Sequence, residues 1–317
     1  MQRLEVIGKF LLALASSVFL FMGGISIPPL GVLLLPFVAQ PVLLFGFKFG
    51  IAGGLAVVGA AFLLFVVFGG KELAFIYGLF AVMAGLVFAA LGRIRVIEYL
   101  IGGIAAVMLT VTAGLSFYFY GSWALMVHDL REGLSQQLAS AIQMQEKMGV
   151  SQEGLGILKE QAPQIVEMMV RLLPALLLLS FGFIVLINVI FLARRFPEQR
   201  EQWLSIRLLR EWKGPEPLVW GLIACGFALF VPGLGWLHVA ALNVLLVIGA
   251  CYFAQGLAVI AYFFHKNNVP RFLRGLTYVL IIFQQIFTLL VVGLGLFDLW
   301  GDFRRLGKDN LTPSQAS

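Results

Sequence analysis

Leu172 to Ala193 reads LLPALLLLSFGFIVLINVIFLA, 22 residues without a charge, followed at once by Arg194 and Arg195. At 1.5 Å per residue such a helix is about 33 Å long, which matches the roughly 30 Å of hydrocarbon in a bilayer. A helix on a soluble core needs only one apolar stripe, whereas this one is apolar all round. It reads as a transmembrane helix. The whole chain repeats the pattern: of 317 residues, 61% are hydrophobic and only 12% charged. Soluble domains carry about 25% charged residues, so too few are present here to build a watery surface.

Nine candidate spans follow from the apolar runs: 6–26, 30–47, 50–69, 73–91, 97–120, 166–193, 217–234, 237–264 and 273–297. The expected fold is all-α, a polytopic bundle of about 8–9 spans. In the first run, Ala13-Leu14-Ala15 resembles a signal-peptidase tripeptide, but it lies inside the apolar stretch rather than after it. An uncleaved helix is expected there. Pro28, Pro29, Pro36 and Pro41 punctuate the second run. Proline removes a backbone donor, so this segment is expected to be a broken or re-entrant helix.

Residues 122–165 are polar, with Leu130, Leu134, Leu138 and Ile142 at helical spacing. They read as two helices forming an extracytoplasmic cap, with a stop at Gly149 and Ser151 as the next N-cap; a disordered loop is the rival reading. Residues 198–212 place Trp203, Ile206, Leu209 and Trp212 near one face, which suits an amphipathic helix at the interface. The expected organisation is a five-span bundle over 1–121, the cap over 122–165, a four-span bundle over 166–300 that includes the linker 194–214, and a polar tail over 301–317.

The linker holds Arg194, Arg195, Arg200, Arg207, Arg210 and Lys213, the densest basic cluster in the chain. By the positive-inside rule it is cytoplasmic, as is the N-terminus. Nine crossings would put Arg304, Arg305 and Lys308 outside. Either the tail is an exception or one segment does not cross. The formal charge of +6 therefore reflects topology, and no nucleic-acid partner is expected. The expected partners are the lipid bilayer, other membrane subunits and a small molecule.

Three sets of residues are candidates for function. Small residues four apart, Gly46/Gly50/Gly54, Ala81/Gly85/Ala89 and Ala106/Thr110/Gly114, permit close helix approach. Intramolecular packing is the favoured reading over a docking face. Asn188, Asn243, Gln255, Gln284 and Gln285 are polar groups inside spans, acting either as interhelical glue, the favoured reading, or as the lining of a polar cavity. Gln255 and the Gln284–Gln285 pair fall on consecutive helices and are candidates for one shared site. Asp298 and Asp302 would share a face if the last helix continues, with Arg305 in ion-pair reach. That group is either a proton- or cation-handling site or, preferred, an ion-pair anchor. Cys225 and Cys251 lie in apolar runs and make no CxxC, and His128, His238 and His265 are scattered singly. No metal site, cofactor or catalytic constellation is expected.

The run from Gln255-Gly256-Leu257-Ala258-Val259-Ile260, through Val269-Pro270-Arg271-Phe272-Leu273-Arg274, to Gly295-Leu296-Phe297-Asp298 and Asp302-Phe303-Arg304 resembles the YybS-like bacterial membrane proteins, a domain of unknown function. That group is thought to be distantly similar to the substrate-binding S-components of energy-coupling-factor transporters and to the cell-shape protein MreD. The resemblance implies a bundle in a bacterial inner membrane that captures a small solute or lipid, or else a scaffold working through helix contacts. An enzyme is the least supported class. S-components often carry an alanine-xxx-alanine pattern on the first helix for the coupling subunit; this chain has Ala13 and Ser17 at that spacing.

Overall fold

The computed structural model describes residues 2–149, 152–203 and 209–304. Among these, all regular structure is helical. In chain order the helices are α1 (Gln2–Ser26), α2 (Pro28–Leu34), α3 (Gln40–Phe49), α4 (Ile51–Leu64), α5 (Gly70–Ala90), α6 (Ile97–Tyr120) and α7 (Trp123–Lys147). Then come α8 (Gln152–Arg195), α9 (Pro197–Trp203), α10 (Leu218–Ala228), α11 (Gly235–Lys266), α12 (Arg271–Phe283) and α13 (Gln285–Gly301). Phe230, Phe68 and Phe283 are 85%, 83% and 81% exposed. Side chains of this kind on the outside are stable against acyl chains, not water.

Six stretches are long and apolar enough to cross a bilayer, and the bent pair α12–α13 raises this to seven if it counts as one span. This count, which takes Ile51–Ala90 as a single stretch, differs from the expected 8–9. The 217–234 run forms only the 11-residue α10, about 16 Å long, and the 273–297 run bends by 104° between α12 and α13. The apolar stretch Ile51–Ala90 runs out and back. Its helical path is interrupted by a π-helical turn, Phe65–Gly69, and by Gly70 at φ 79°. The Phe62 ring reaches 3.3 Å from the Cβ position of Gly78. In a straight helix these two residues would be about 24 Å apart.

Two compact units emerge: Met1–Asp129 with Leu176–Ser205, and Leu130–Ala175 with Ile206–Ser317. The boundary falls inside α8, a continuous 44-residue helix. The cap segment after Gln152 and the span expected over 166–193 therefore belong to one helix. Most of that span, residues 176–193, packs with the N-terminal unit instead of the C-terminal bundle. Ser151 and Ile206 lie outside the described residues. Of the interfacial helix expected over 198–212, α9 and a short 3-10 turn, Leu209–Glu211, are described.

In the first unit, Phe21, Phe65 and Tyr77 form the centre of the core, with ring centroids 4.7–5.2 Å apart. The second span is broken as its prolines dictate, into α2, a 3-10 turn (Leu35–Phe37) and α3. Prolines stand in the first turn of each piece, where a missing N–H costs least. The irregular carbonyls at the breaks must be satisfied without water. Ser17 Oγ donates to Val38 O and Asn188 Nδ2 to Pro36 O, each at 2.8 Å. Asn188→Ala is expected to leave the Pro36 carbonyl unpaired and to cost about 1–3 kcal/mol. The check is thermal unfolding in detergent, and an unchanged transition would refute this role for Asn188.

The row Gly46/Gly50/Gly54 is not a face of one helix. Gly50 adopts φ 106°, which favours glycine, and the chain reverses there. Gly46 and Gly54 consequently face each other across the α3–α4 hairpin: a Cβ on Gly54 would sit 2.9 Å from Gly46 Cα. The row closes a hairpin inside the unit.

In the second unit, α7 is held to the first half of α8 by Arg131–Glu167 (3.0 Å) and Lys159–Glu146 (3.4 Å). These pairs are exposed and contribute little individually. α7 is helical through Leu130–Ile142, and Ile142 is buried, so the loop alternative does not hold. Helix α10 folds back on α11, where Ile248 lies 3.0 Å from the Cβ position of Gly221.

Pro174 interrupts α8, and the Asn243 amide splints the break. Asn243 Oδ1 accepts from Ala175 N (2.9 Å), while its Nδ2 donates to Arg171 O (2.8 Å). An uninterrupted helix would pair those two backbone groups with each other. Asn243→Leu, which removes both bonds while filling the space, is expected to lower stability by about 1–3 kcal/mol. Equal melting of variant and parent would show the splint to be dispensable.

Candidate functional site

The α11–α13 contact is the tightest in the second unit. A Cβ on Gly256 would collide with the Val291 carbonyl, and one on Gly295 with the Tyr252 carbonyl. Only glycine at both positions lets the two backbones touch. This approach carries Gln255 of α11 to Asp298 of α13. Gln255 Nε2 donates to Asp298 Oδ2 (3.1 Å), and Gln255 Oε1 accepts from Gly214 N (3.1 Å).

Arg304 completes the node. Its Nη2 donates to Asp298 Oδ2 at 2.7 Å, and its Nη1 reaches the carbonyls of Arg210 and Trp212, both at 2.9 Å. Gln255, Asp298 and Arg304 are 0%, 2% and 2% exposed. A buried charge pair persists only when its remaining valences are satisfied. Here backbone carbonyls and the Gln255 amide supply most of them. Asp298 Oδ1 and Arg304 Nε have no partner among the described residues. The node ties the end of α13 and the segment Arg210–Gly214 to α11.

Sequence reasoning named Gln255 and Asp298 but placed them in different sets. It paired Asp298 with Asp302 and Arg305. The helix instead stops at Gly301, and Asp302 turns left-handed at φ 36°, so the two aspartates do not share a helical face. Arg305 lies outside the described residues. Arg304 was missed as a partner because six residues along an unbroken helix point away from Asp298; the left-handed turn at Asp302 brings it back.

The other polar candidates are not gathered here. Asn188 and Asn243 repair proline breaks in separate units. Gln284 sits at the α12–α13 bend and Gln285 starts α13, both exposed. Of the polar set, only Gln255 joins the buried node, and the expected Gln255–Gln284–Gln285 cavity is not formed. Among the described residues, no group of three or more His, Cys, Asp or Glu is placed to hold a metal ion. Ala13 and Ser17 are buried at 7% and 0% exposure, Ser17 being bonded to Val38 O and Tyr77 Oη. They present no free face to a coupling subunit.

A different concavity lies in the first unit. A cleft of about 480 Å³ is bordered by the end of α1 (Gly24), by α2 and the turn after it (Gly31, Pro36) and by α8 (Ser180, Phe183, Ile184). Small-molecule sites run from roughly 300 to 1,000 Å³. Two of its glycines mark a close approach of α1 and α2: a Cβ on Gly31 would stand 2.7 Å from Gly24 O. Ser180 supplies the only polar side chain among the lining residues.

An all-helical chain with several bilayer-length apolar helices and an apolar exterior defines a multi-pass membrane protein. Residues 15–299 match the family model described as a predicted membrane protein, DUF2232, and the chain belongs to that family. No curated protein and no solved structure matches it.

Proposed function

We propose that the protein is a non-enzymatic component of a bacterial inner membrane that binds a lipid-like or small apolar molecule for transport or handling within the bilayer. The apolar cleft beside the broken second span carries this reading. Its volume suits a small ligand, and its apolar walls, Val32, Leu35 and Phe183 among them, offer dispersion contacts. The in-span amides do not favour a polar solute, because Asn188, Asn243 and Gln255 are spent on backbone and side-chain partners. The basic linker Arg194–Lys213 supports a cytoplasmic side for itself and for the N-terminus. The chain has no P-loop, so driven transport calls for partner subunits or an ion gradient.

Purification in mild detergent followed by native mass spectrometry of released small molecules tests the proposal. A retained apolar molecule is expected, and Ser180→Trp, which adds bulk to the cleft lining, should abolish its retention while elution as a folded protein is unchanged. Retention unaffected by the tryptophan, or partner proteins recovered without any small molecule, would overturn it.

A scaffold is the second reading, favoured by one observation. Gly102, Ala106, Thr110 and Gly114 form an exposed row along α6, with nothing within 4 Å of the Cβ positions of Gly102 and Gly114. Such a row admits a neighbouring transmembrane helix at close range.

A further inference from the structure

The register of the α11–α13 contact fixes the level of α12. Gly295 crosses α11 at Tyr252 and Gly256. Helix α12, which leads into α13, is bonded through Arg274 to Phe264 O at the end of α11. Helix α13 therefore runs back along α11, and the two helices are antiparallel. Ten residues back along α13 from Gly295 is Gln285, which therefore stands beside the last turn of α11 near Phe264. Helix α12 joins α13 there through the 104° bend. With α13 upright in the bilayer, α12 lies nearly flat at the level where α11 ends.

Contacts with α11 agree. Arg274 donates through Nη2 to Phe264 O (3.1 Å) and through Nε to Val269 O (2.7 Å), and the rings of Phe264 and Tyr278 are 5.9 Å apart. Arg274, Tyr278 and Ile281 thus form the inward side of α12. The opposite side carries Phe272, Leu276, Val279, Leu280 and Phe283, all exposed, with Phe272 at 77%. An in-plane helix with one broad apolar side lies in the headgroup–acyl boundary.

The turn into α12 is charged with one sign only. Lys266 and Arg271 are exposed, five residues apart around the left-handed Asn268 (φ 47°), and neither has an ion-pair partner among the described residues. No acidic residue occurs between Glu216 and Asp298. Free cations beside an apolar in-plane helix complement the phosphodiester of an anionic lipid, where a guanidinium binds through its planar fork and an ammonium as a point charge.

We propose that Lys266 and Arg271, together with the apolar side of α12, form a binding site for an anionic phospholipid of the leaflet that α12 lies in. The site is in the second unit and is independent of the cleft proposed above. The test is the full chain in mild detergent, titrated with equal amounts of phosphatidylglycerol and phosphatidylcholine and read by native mass spectrometry. Each basic side chain near an anionic surface favours binding about fivefold. Phosphatidylglycerol is therefore expected to be retained over phosphatidylcholine by roughly tenfold or more, less so as salt rises. K266Q/R271Q is expected to remove that preference, whereas Ser180→Trp should leave it intact. Equal retention of the two lipids by the parent protein overturns the proposal, whether or not the variant folds. So does a preference that survives K266Q/R271Q, and a preference lost in Ser180→Trp alone would assign the lipid to the cleft instead.

Discussion

Gly295→Ala is expected to be among the most damaging single methyl additions to this protein. The new Cβ would overlap the Tyr252 carbonyl and crowd the Gly256 amide. These are backbone atoms of α11, which no rotamer change can move. The two helices would have to separate, loosening the Gln255–Asp298 bond that their contact positions. Overpacking of this kind costs about 3 kcal/mol. Gly293→Ala is the internal control, because nothing lies within 4 Å of its Cβ position. There the loss of backbone freedom in the unfolded chain favours alanine by up to about 1 kcal/mol. Thermal unfolding of both variants in the same detergent decides the matter: similar melting for the two would mean that the α11–α13 contact is looser than described.

The second large effect concerns the buried ion pair. Asp298→Leu would leave the Arg304 guanidinium 2% exposed with its carboxylate gone, and Arg304→Met would strand Asp298 in the same way. Breaking a buried pair from one side costs about 3–5 kcal/mol, mostly the penalty of the charge left behind. The doubly substituted Asp298→Leu/Arg304→Met chain removes both charges and keeps the volume. It is expected to be more stable than either single variant, with a coupling free energy of a few kcal/mol. Additive effects in this cycle would rule out a buried pair. Full stability in the double variant together with lost ligand retention would give the pair a role beyond fastening the segment Arg210–Gly214.

Much of the architecture was legible in the chain. The charge-free run Leu172–Ala193 is helical, and the prolines at 28, 29, 36 and 41 break the second span where they stand. The spacing of Leu130 to Ile142 marks α7. What misled was continuity. Spacing reads small residues four apart as one face, and hydropathy reads an apolar run as one rod. Gly50, however, reverses the chain inside the glycine row, and Gln284 bends it inside the 273–297 run. A row of small residues four apart was thereby turned into a hairpin contact, and one expected span became two helices bent by 104°. The buried node was half legible. Gln255, Gly256, Gly295, Asp298 and Arg304 all stand in the strings that carry the family resemblance, yet spacing on one helix says nothing about which residue on another it will meet.

By itself the sequence determined the solvent and the secondary structure. Hydrocarbon offers no hydrogen bonds, so long uncharged segments must satisfy their own backbone, and helices do so locally. Which polar side chains mend the proline breaks, and which carboxylate meets which guanidinium, was decided only in three dimensions. Those bonds join residues up to 152 positions apart, through turns that a one-dimensional periodicity does not encode.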